Sequence, residues 1–314
     1  MNPSIESVAL RDVFGQTLLD LAERIPELVV LDADVAGSTK TGAFGQAHPD
    51  RFFNVGVAEA NMVDIGAGLA TCGLRPVVST FALFLTLKGA DQIRNTICYN
   101  RLPVVLAGGY GGLSDSYDGA SHQAITDLAV MRAMPEMTVL VPADGTEVAP
   151  ALEWALQHDG PTYIRLSRNP SPILFADQPA MAVGQIRRMR EGSDLTIGVC
   201  GIPTSMAIEA SERLAADGIE VDLLEIPCLK PLDTGAIVES VSRTGRILTV
   251  EEHNIIGGLG GAVAEALGRE MPVKMGFVGV EDCFTESGDY NELLEKYGIS
   301  AHAIVAKAKE LANS

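Results

Sequence analysis

A chain of 314 residues, 47% hydrophobic and 20% charged, holds enough apolar sequence to pack two domains and is too apolar for intrinsic disorder. Its 23 Lys and Arg against 41 Asp and Glu leave a net charge of −18. Such a field repels phosphate backbones and argues against nucleic-acid or anionic-membrane partners. The acidic residues are scattered along the chain, as on a solvated surface. The cysteines at 72, 98, 200, 228 and 283 form no C-x-x-C pair and have no His at ligand spacing, which disfavours both a zinc site and a secreted disulfide framework. With Glu6, Arg11 and Asp12 where a signal peptide needs an apolar run, and no apolar stretch of bilayer length, the expectation is a cytoplasmic protein.

In chain order, helical period over Val8 to Arg24 precedes a β-branched run at Leu28 to Leu31. A helix over Ala60 to Cys72 leads to a strand at Pro76 to Ser79, and a helix over Leu85 to Tyr99 to a strand at Val104 to Ala107. Thr138 to Val141, a helix at Thr146 to His158 and Tyr163 to Leu166 complete the first series. Asn169 to about Arg190 has Pro170, Pro172, Pro179, Gly184 and the cluster Arg187, Arg188 and Arg190, and reads as a linker with a solvated or salt-bridged basic face. The rhythm then restarts, with strands at Leu195 to Cys200, Val221 to Ile226, Ile247 to Val250 and Val273 to Val278, and a helix at Ser205 to Ala216 closed by Gly218. The fold class expected is α/β, with two domains that each hold a mainly parallel sheet flanked by helices.

Ligands of open parallel sheets bind beyond the carboxyl ends of the strands, so the polar residues there carry the candidate chemistry. Asp32-Ala-Asp34-Val-Ala-Gly-Ser38 follows the first strand of the sheet. Gly108-Gly-Tyr110-Gly-Gly follows the third, with Asp115, Asp118 and His122 just beyond. Neither G-x-G-x-x-G nor G-x-x-x-x-G-K-[ST] occurs, which disfavours a dinucleotide or ATP site of those types. On local sequence alone, Glu59 suits the first turn of a helix through the helix dipole, His122 suits a hydrogen-bonded loop, and Phe81 and Phe84 suit a core.

The order of segments changes that balance. Asn54-Val-Gly-Val-Ala-Glu59-Ala-Asn-Met, then STFALFL from Ser79, then DGASHQAITDLAVMRAMPEMTVLVPAD from Asp118, then YIRLSR ending at Arg168, resembles the pyrimidine-binding domain of transketolase. CLKPLD, VEEHNIIGGLGG and DCFTESGDYNELLEKYG resemble the C-terminal domain of transketolase and of deoxyxylulose-phosphate synthase. The resemblance covers essentially the whole chain and implies a pyrimidine-binding domain over 1–175, a linker over 176–192 and a transketolase C-terminal domain over 193–314.

The resemblance implies thiamine diphosphate as cofactor, with Glu59 catalytic. Its carboxyl would share a proton with N1′ of the aminopyrimidine and favour the imino tautomer that acts as general base on the thiazolium. Phe81 and Phe84 match the aromatic residues packed on the pyrimidine, and Asp34 falls in the cofactor region. Arg11, Ser38 and Arg168 match phosphate-binding positions. Asp118 and His122 match groups that hold sugar hydroxyls, with His122 also counted as catalytic. Tyr110 stands in the substrate region where a histidine is usual, and Leu87 where an aromatic is usual. Ala58 and Ala60 replace the Arg and His that flank the catalytic glutamate in transketolase, a feature nearer the synthase.

No G-D-G occurs, so the family's diphosphate-binding domain, which holds magnesium and the diphosphate, is expected on a partner. The reading is a split transketolase: a transferase moving a two-carbon ketol unit from a ketose phosphate to an aldose phosphate. This chain would be its C-terminal subunit and would be active only with an N-terminal subunit, in an α2β2 heterotetramer. No metal ligands are expected on this chain. Three alternatives stay open: a β subunit of a 2-oxo-acid dehydrogenase, an enzyme like deoxyxylulose-phosphate synthase, and a non-catalytic regulatory subunit.

Overall fold

The structure, a computed structural model, describes residues 7–178 and 180–313. In the first half the strands are β1 (Ser7–Ala9), β2 (Leu28–Asp32), β3 (Phe52–Asn54), β4 (Arg75–Phe81), β5 (Val105–Gly109), β6 (Thr138–Leu140), β7 (Thr162–Arg165) and β8 (Pro170–Pro172). In the second they are β9 (Arg187–Arg190), β10 (Leu195–Val199), β11 (Val221–Glu225), β12 (Cys228–Lys230), β13 (Arg246–Asn254) and β14 (Lys274–Val280). One sheet runs β12-β6-β7-β5-β4-β2-β3 and is parallel except for β12 at its edge. The other runs β14-β13-β10-β11-β9 and is parallel except for β9. The expected fold class is the one observed.

Continuous apolar runs form these strands because helices cover both faces of each sheet. Leu28, Val30, Val77 and Ile164 pack one face of the first sheet against the helices Leu10–Ala22 and Gly145–Gln157. The opposite face does not have a core to itself. Val29, Leu31, Val78 and Leu106 share one buried cluster with Leu224, Ile226, Ile237, Leu259 and Val263 of the second half. The two halves are welded through that common core.

Four details differ from the sequence reading. The first helix starts at Leu10, two residues late, because Ser7–Ala9 pairs antiparallel with Pro170–Pro172. The helix expected over Leu85 to Tyr99 is three pieces, Ala82–Lys88, Ala90–Gln92 and a π-helical Ile93–Cys98, interrupted at Gly89, where a Cβ would lie 2.7 Å from the Leu85 carbonyl oxygen. The stretch expected as a linker ends in β9, whose arginines pair with buried carboxylates; Pro179 within it lies outside the described residues. Finally β12, from the second half, adds to the first sheet on the edge of β6.

Candidate active site

The candidate side chains come together because they follow neighbouring parallel strands at one end of the sheet. Ser38 follows β2, Glu59 follows β3, Phe81 closes β4, Tyr110 follows β5 and Arg168 follows β7. Asp32, the last residue of β2, is fully buried and accepts hydrogen bonds from the Val35 amide (2.7 Å) and the hydroxyls of Thr39 (2.7 Å) and Thr41 (2.8 Å). Burial pushes its pKa up while those donors pull it down. Asp32 thereby shapes the loop that carries Asp34 and Ser38.

Glu59 opens the helix Glu59–Thr71 and is 5% exposed. The helix dipole accounts for an acid at that position but not for its burial, and Oε1 takes a hydrogen bond from Lys88 Nζ at 2.7 Å. The same ammonium lies 4.1 Å from the Phe84 ring centroid. Phe81 and Phe84 stack at 5.8 Å, and the His122 ring meets Phe84 edge-on at 5.0 Å. A buried carboxyl that shares Lys88 with one of two stacked aromatic rings offers what an aminopyrimidine requires: an acceptor and apolar surface for its ring.

Phe81 also stacks on Tyr110 at 4.3 Å, which joins this cluster to a second, basic one. Arg11 donates from Nη1 to the Tyr110 hydroxyl and to the Ser38 carbonyl oxygen (3.2 Å). Arg168 donates from Nη1 to Asp115 Oδ1 at 3.3 Å. The guanidinium carbons of Arg11 and Arg168 lie 5.3 and 5.2 Å from the Tyr110 ring centroid. Asp115 is fully buried and pushed up to about 7, first by burial, then by the neighbouring Asp118 carboxyl, against the pull of Arg168. Asp118 itself is exposed, and His122 bonds Ser121 Oγ through Nδ1 at 2.9 Å.

Of the sequence-predicted residues, Phe84, Phe81, His122, Tyr110, Arg11, Ser38 and Arg168 form one chain of contacts, which Glu59 joins through Lys88, while Asp118 acts on Asp115 beside Arg168. Asp34 does not join it. It sits exposed at φ 65° and accepts from Asn54 Nδ2 at 3.1 Å. Sequence reasoning missed Lys88 and assigned no role to Asp115 or Asp32. It also missed the supports of the loop bearing Asp118 and His122. Glu252 accepts from the Leu113 amide (2.6 Å) and the Tyr290 hydroxyl (2.9 Å), and Gln123 donates to the Glu286 carbonyl oxygen (3.0 Å). Gly112, at φ +66°, is required here: a Cβ would lie 2.3 Å from the Glu252 carboxylate. That glycine makes room for the second half of the chain. Among the described residues no group of three or more His, Cys, Asp or Glu could hold a metal ion.

Two family models match, the pyrimidine-binding domain of transketolase over residues 6–172 and the transketolase C-terminal domain over residues 184–304. The chain belongs to the transketolase family. It is 38% identical over 307 residues to the 6-deoxy-6-sulfo-D-fructose transketolase subunit SqwH of a Clostridium species, covering 98% of this chain and 95% of that one. A putative transketolase C-terminal section of Methanocaldococcus jannaschii is 37% identical over 96% of this chain and 95% of its own length. Synthases of 1-deoxy-D-xylulose 5-phosphate also match; the one from Desulforudis audaxviator is 36% identical over 98% of this chain, which spans 49% of that enzyme. Among solved structures, a split-gene transketolase described as an inactive β4 tetramer superposes with a TM-score of 0.91 at 44% identity, covering 98% of this chain and 99% of that one. Transketolase from Leishmania mexicana, 22% identical, shares the fold at a TM-score of 0.81 over 98% of this chain and 46% of its own.

Proposed function

We propose that the chain is the C-terminal subunit of a split transketolase, a transferase that moves a two-carbon ketol unit from a ketose to an aldose carrying an anionic terminus. One observation carries this reading: a buried carboxyl with aromatic faces, Glu59 with Phe81 and Phe84, sits one Phe81–Tyr110 stack away from two convergent arginines. A ring-shaped cofactor and an anionic, hydroxylated substrate therefore have adjoining places. Likeness over nearly full length to other C-terminal transketolase chains supports it.

When bound, thiamine diphosphate supplies the nucleophilic carbon and electron sink for ketol transfer. In place of its hydrogen bond from Lys88, Glu59 would hold a proton at N1′ of the pyrimidine, and Phe81 and Phe84 would pack on the ring. His122 and Asp118 hold sugar hydroxyls, with His122 placed to move a proton at the reacting hydroxyl. Arg11, the Ser38 region, Tyr110 and Arg168 receive the anionic end, which the planar guanidinium donors of the two arginines suit. Magnesium and the diphosphate fall to an N-terminal subunit with the G-D-G motif, and the working assembly is an α2β2 heterotetramer in the cytoplasm. The relative solved as an inactive β4 tetramer favours a need for that partner.

Ketol transfer is assayed for this chain alone and co-expressed with a neighbouring reading frame that carries G-D-G, with thiamine diphosphate, magnesium and a panel of phosphorylated and sulfonated ketoses and aldoses. Activity in the pair alone is the expected result. Pyruvate consumption in the same pair favours the synthase reading instead. Glu59→Ala in the active pair is expected to lower kcat by about 10² to 10⁴, the span of a lost acid–base group; retention of activity makes the chain a scaffold.

A further inference from the structure

Both arginines of the anion pocket are partly engaged before any ligand arrives. Arg11 spends Nη1 on Tyr110 and Ser38, while its Nε is buried with no acceptor among the described residues. Arg168 faces Asp115, a fully buried carboxyl whose Oδ2 has no donor among the described residues. The pocket thus holds two cations, the Asp115 carboxylate with the Asp118 carboxyl beside it, and the Tyr110 phenol. Its net charge is at most +1, whereas two free arginines would present +2.

We propose that Asp115 sets the charge of the substrate's distal end, so that the pocket takes a singly charged tetrahedral oxyanion of sulfonate type in preference to a phosphate dianion. This rests on the ketol-transfer reading above and refines it. A phosphate monoester carries close to two charges at pH 8, and its second charge would meet the Asp115 carboxylate rather than an unspent guanidinium. Asp115 cannot swing into solvent to relieve this, because it is enclosed. A sulfonate carries one charge at any working pH and uses what remains: the buried Arg11 Nε and the outer edge of Arg168, which is one-third exposed. Tyr110 works in the same direction, as a neutral donor or acceptor that adds no charge.

The test uses the assembled complex at pH 8 with three ketoses alike except at C6: 6-deoxy-6-sulfofructose, fructose 6-phosphate and fructose. The expected kcat/KM is at least tenfold higher for the sulfonate than for either of the others. Asp115→Asn, which keeps shape and removes charge, is expected to raise the phosphate-to-sulfonate ratio about tenfold, chiefly through KM, and Tyr110→His to move it the same way. Equal loss for all three ketoses in Asp115→Asn, or a native preference for phosphate or for the neutral sugar, overturns the assignment. Calorimetric titration of the same complexes with 2,3-dihydroxypropane-1-sulfonate and glycerol 3-phosphate reads the charge preference without turnover. A complex that transfers ketol from no ketose removes the proposed activity, and the titration still decides the charge of the pocket.

Discussion

Glu59 is held by a cation that the proposed cofactor contact would displace, and the geometry sets the size of the effect. Lys88 is half exposed, so its pair with Glu59 is worth about 0.2 to 1 kcal/mol. Lys88→Met is therefore expected to tighten thiamine diphosphate binding to the assembled complex about threefold in a fluorescence titration, with the thermal midpoint moved by no more than about 2 °C; weaker binding would make Lys88 a cofactor contact in its own right. Glu252 presents a sharper case. Buried, it is pushed up to about 7 despite Arg165, the Leu113 amide and Tyr290, which all pull it down. Its folded pKa lies above the ordinary 4.5, so the folded chain binds the extra proton and the benefit disappears as pH rises through 7. Between pH 5 and pH 8 this group is expected to remove about 2 kcal/mol of stability, and denaturant titrations of Glu252→Gln should show a pH slope smaller by that amount. Glu59, Phe81, Phe84 and Arg168 could be named as candidates because short motifs carry them, and Arg11 by its position in the resemblance. Lys88, Asp115 and Glu252 were not, because their partners lie 29, 53 and 139 residues away and no spacing rule links them.

At the scale of elements, the strands of the first sheet were legible because both faces are covered and each reads as an unbroken apolar run. β9 and β12 were hidden for opposite reasons. Arg187–Arg190 has a charged sequence, and it forms a strand because its arginines reach buried carboxylates on their way into the second sheet. Cys228–Lys230 is three residues long and is followed by Pro231, too little for a period to register. Arg187 bridges the halves, 2.6 Å from Glu147 and 3.2 Å from Glu225, both at most 1% exposed and both pushed up by burial. Replacing it with Met leaves two buried carboxyls facing each other, and Arg187→Met is expected to lose about 3 to 5 kcal/mol at pH 8. The loss should shrink at pH 5. Without the arginine the folded pKa values rise further above their unfolded ones, so protonation on lowering the pH restores stability. Chemical denaturation at the two pH values checks both the magnitude and the sign.

For the whole molecule, two domains were legible from the restart of the strand–helix rhythm, but their union was not. The strand with Leu224 belongs to the second series, yet Leu224, Ile237 and Leu259 share one cluster with Val29, Val78 and Leu106 of the first. Sequence patterning reports that a face is apolar, not which partner it meets. The same ambiguity holds at the surface, where one apolar cleft beside the site is lined by Leu83, Leu87, Ile125, Cys283 and Phe284. Leu87 is 53% and Phe284 89% exposed, drawn from opposite halves of the chain. Large apolar side chains left in water beside an active site suit a subunit contact, and a few central residues of that kind carry most of an interface's energy. If the N-terminal subunit covers this cleft, the double change Leu87→Asp and Phe284→Asp should weaken assembly at least 100-fold by light scattering of titrated mixtures. The chain alone should keep its thermal midpoint, since neither side chain packs in a core. Assembly at native affinity would move the proposed subunit contact to another face of the chain.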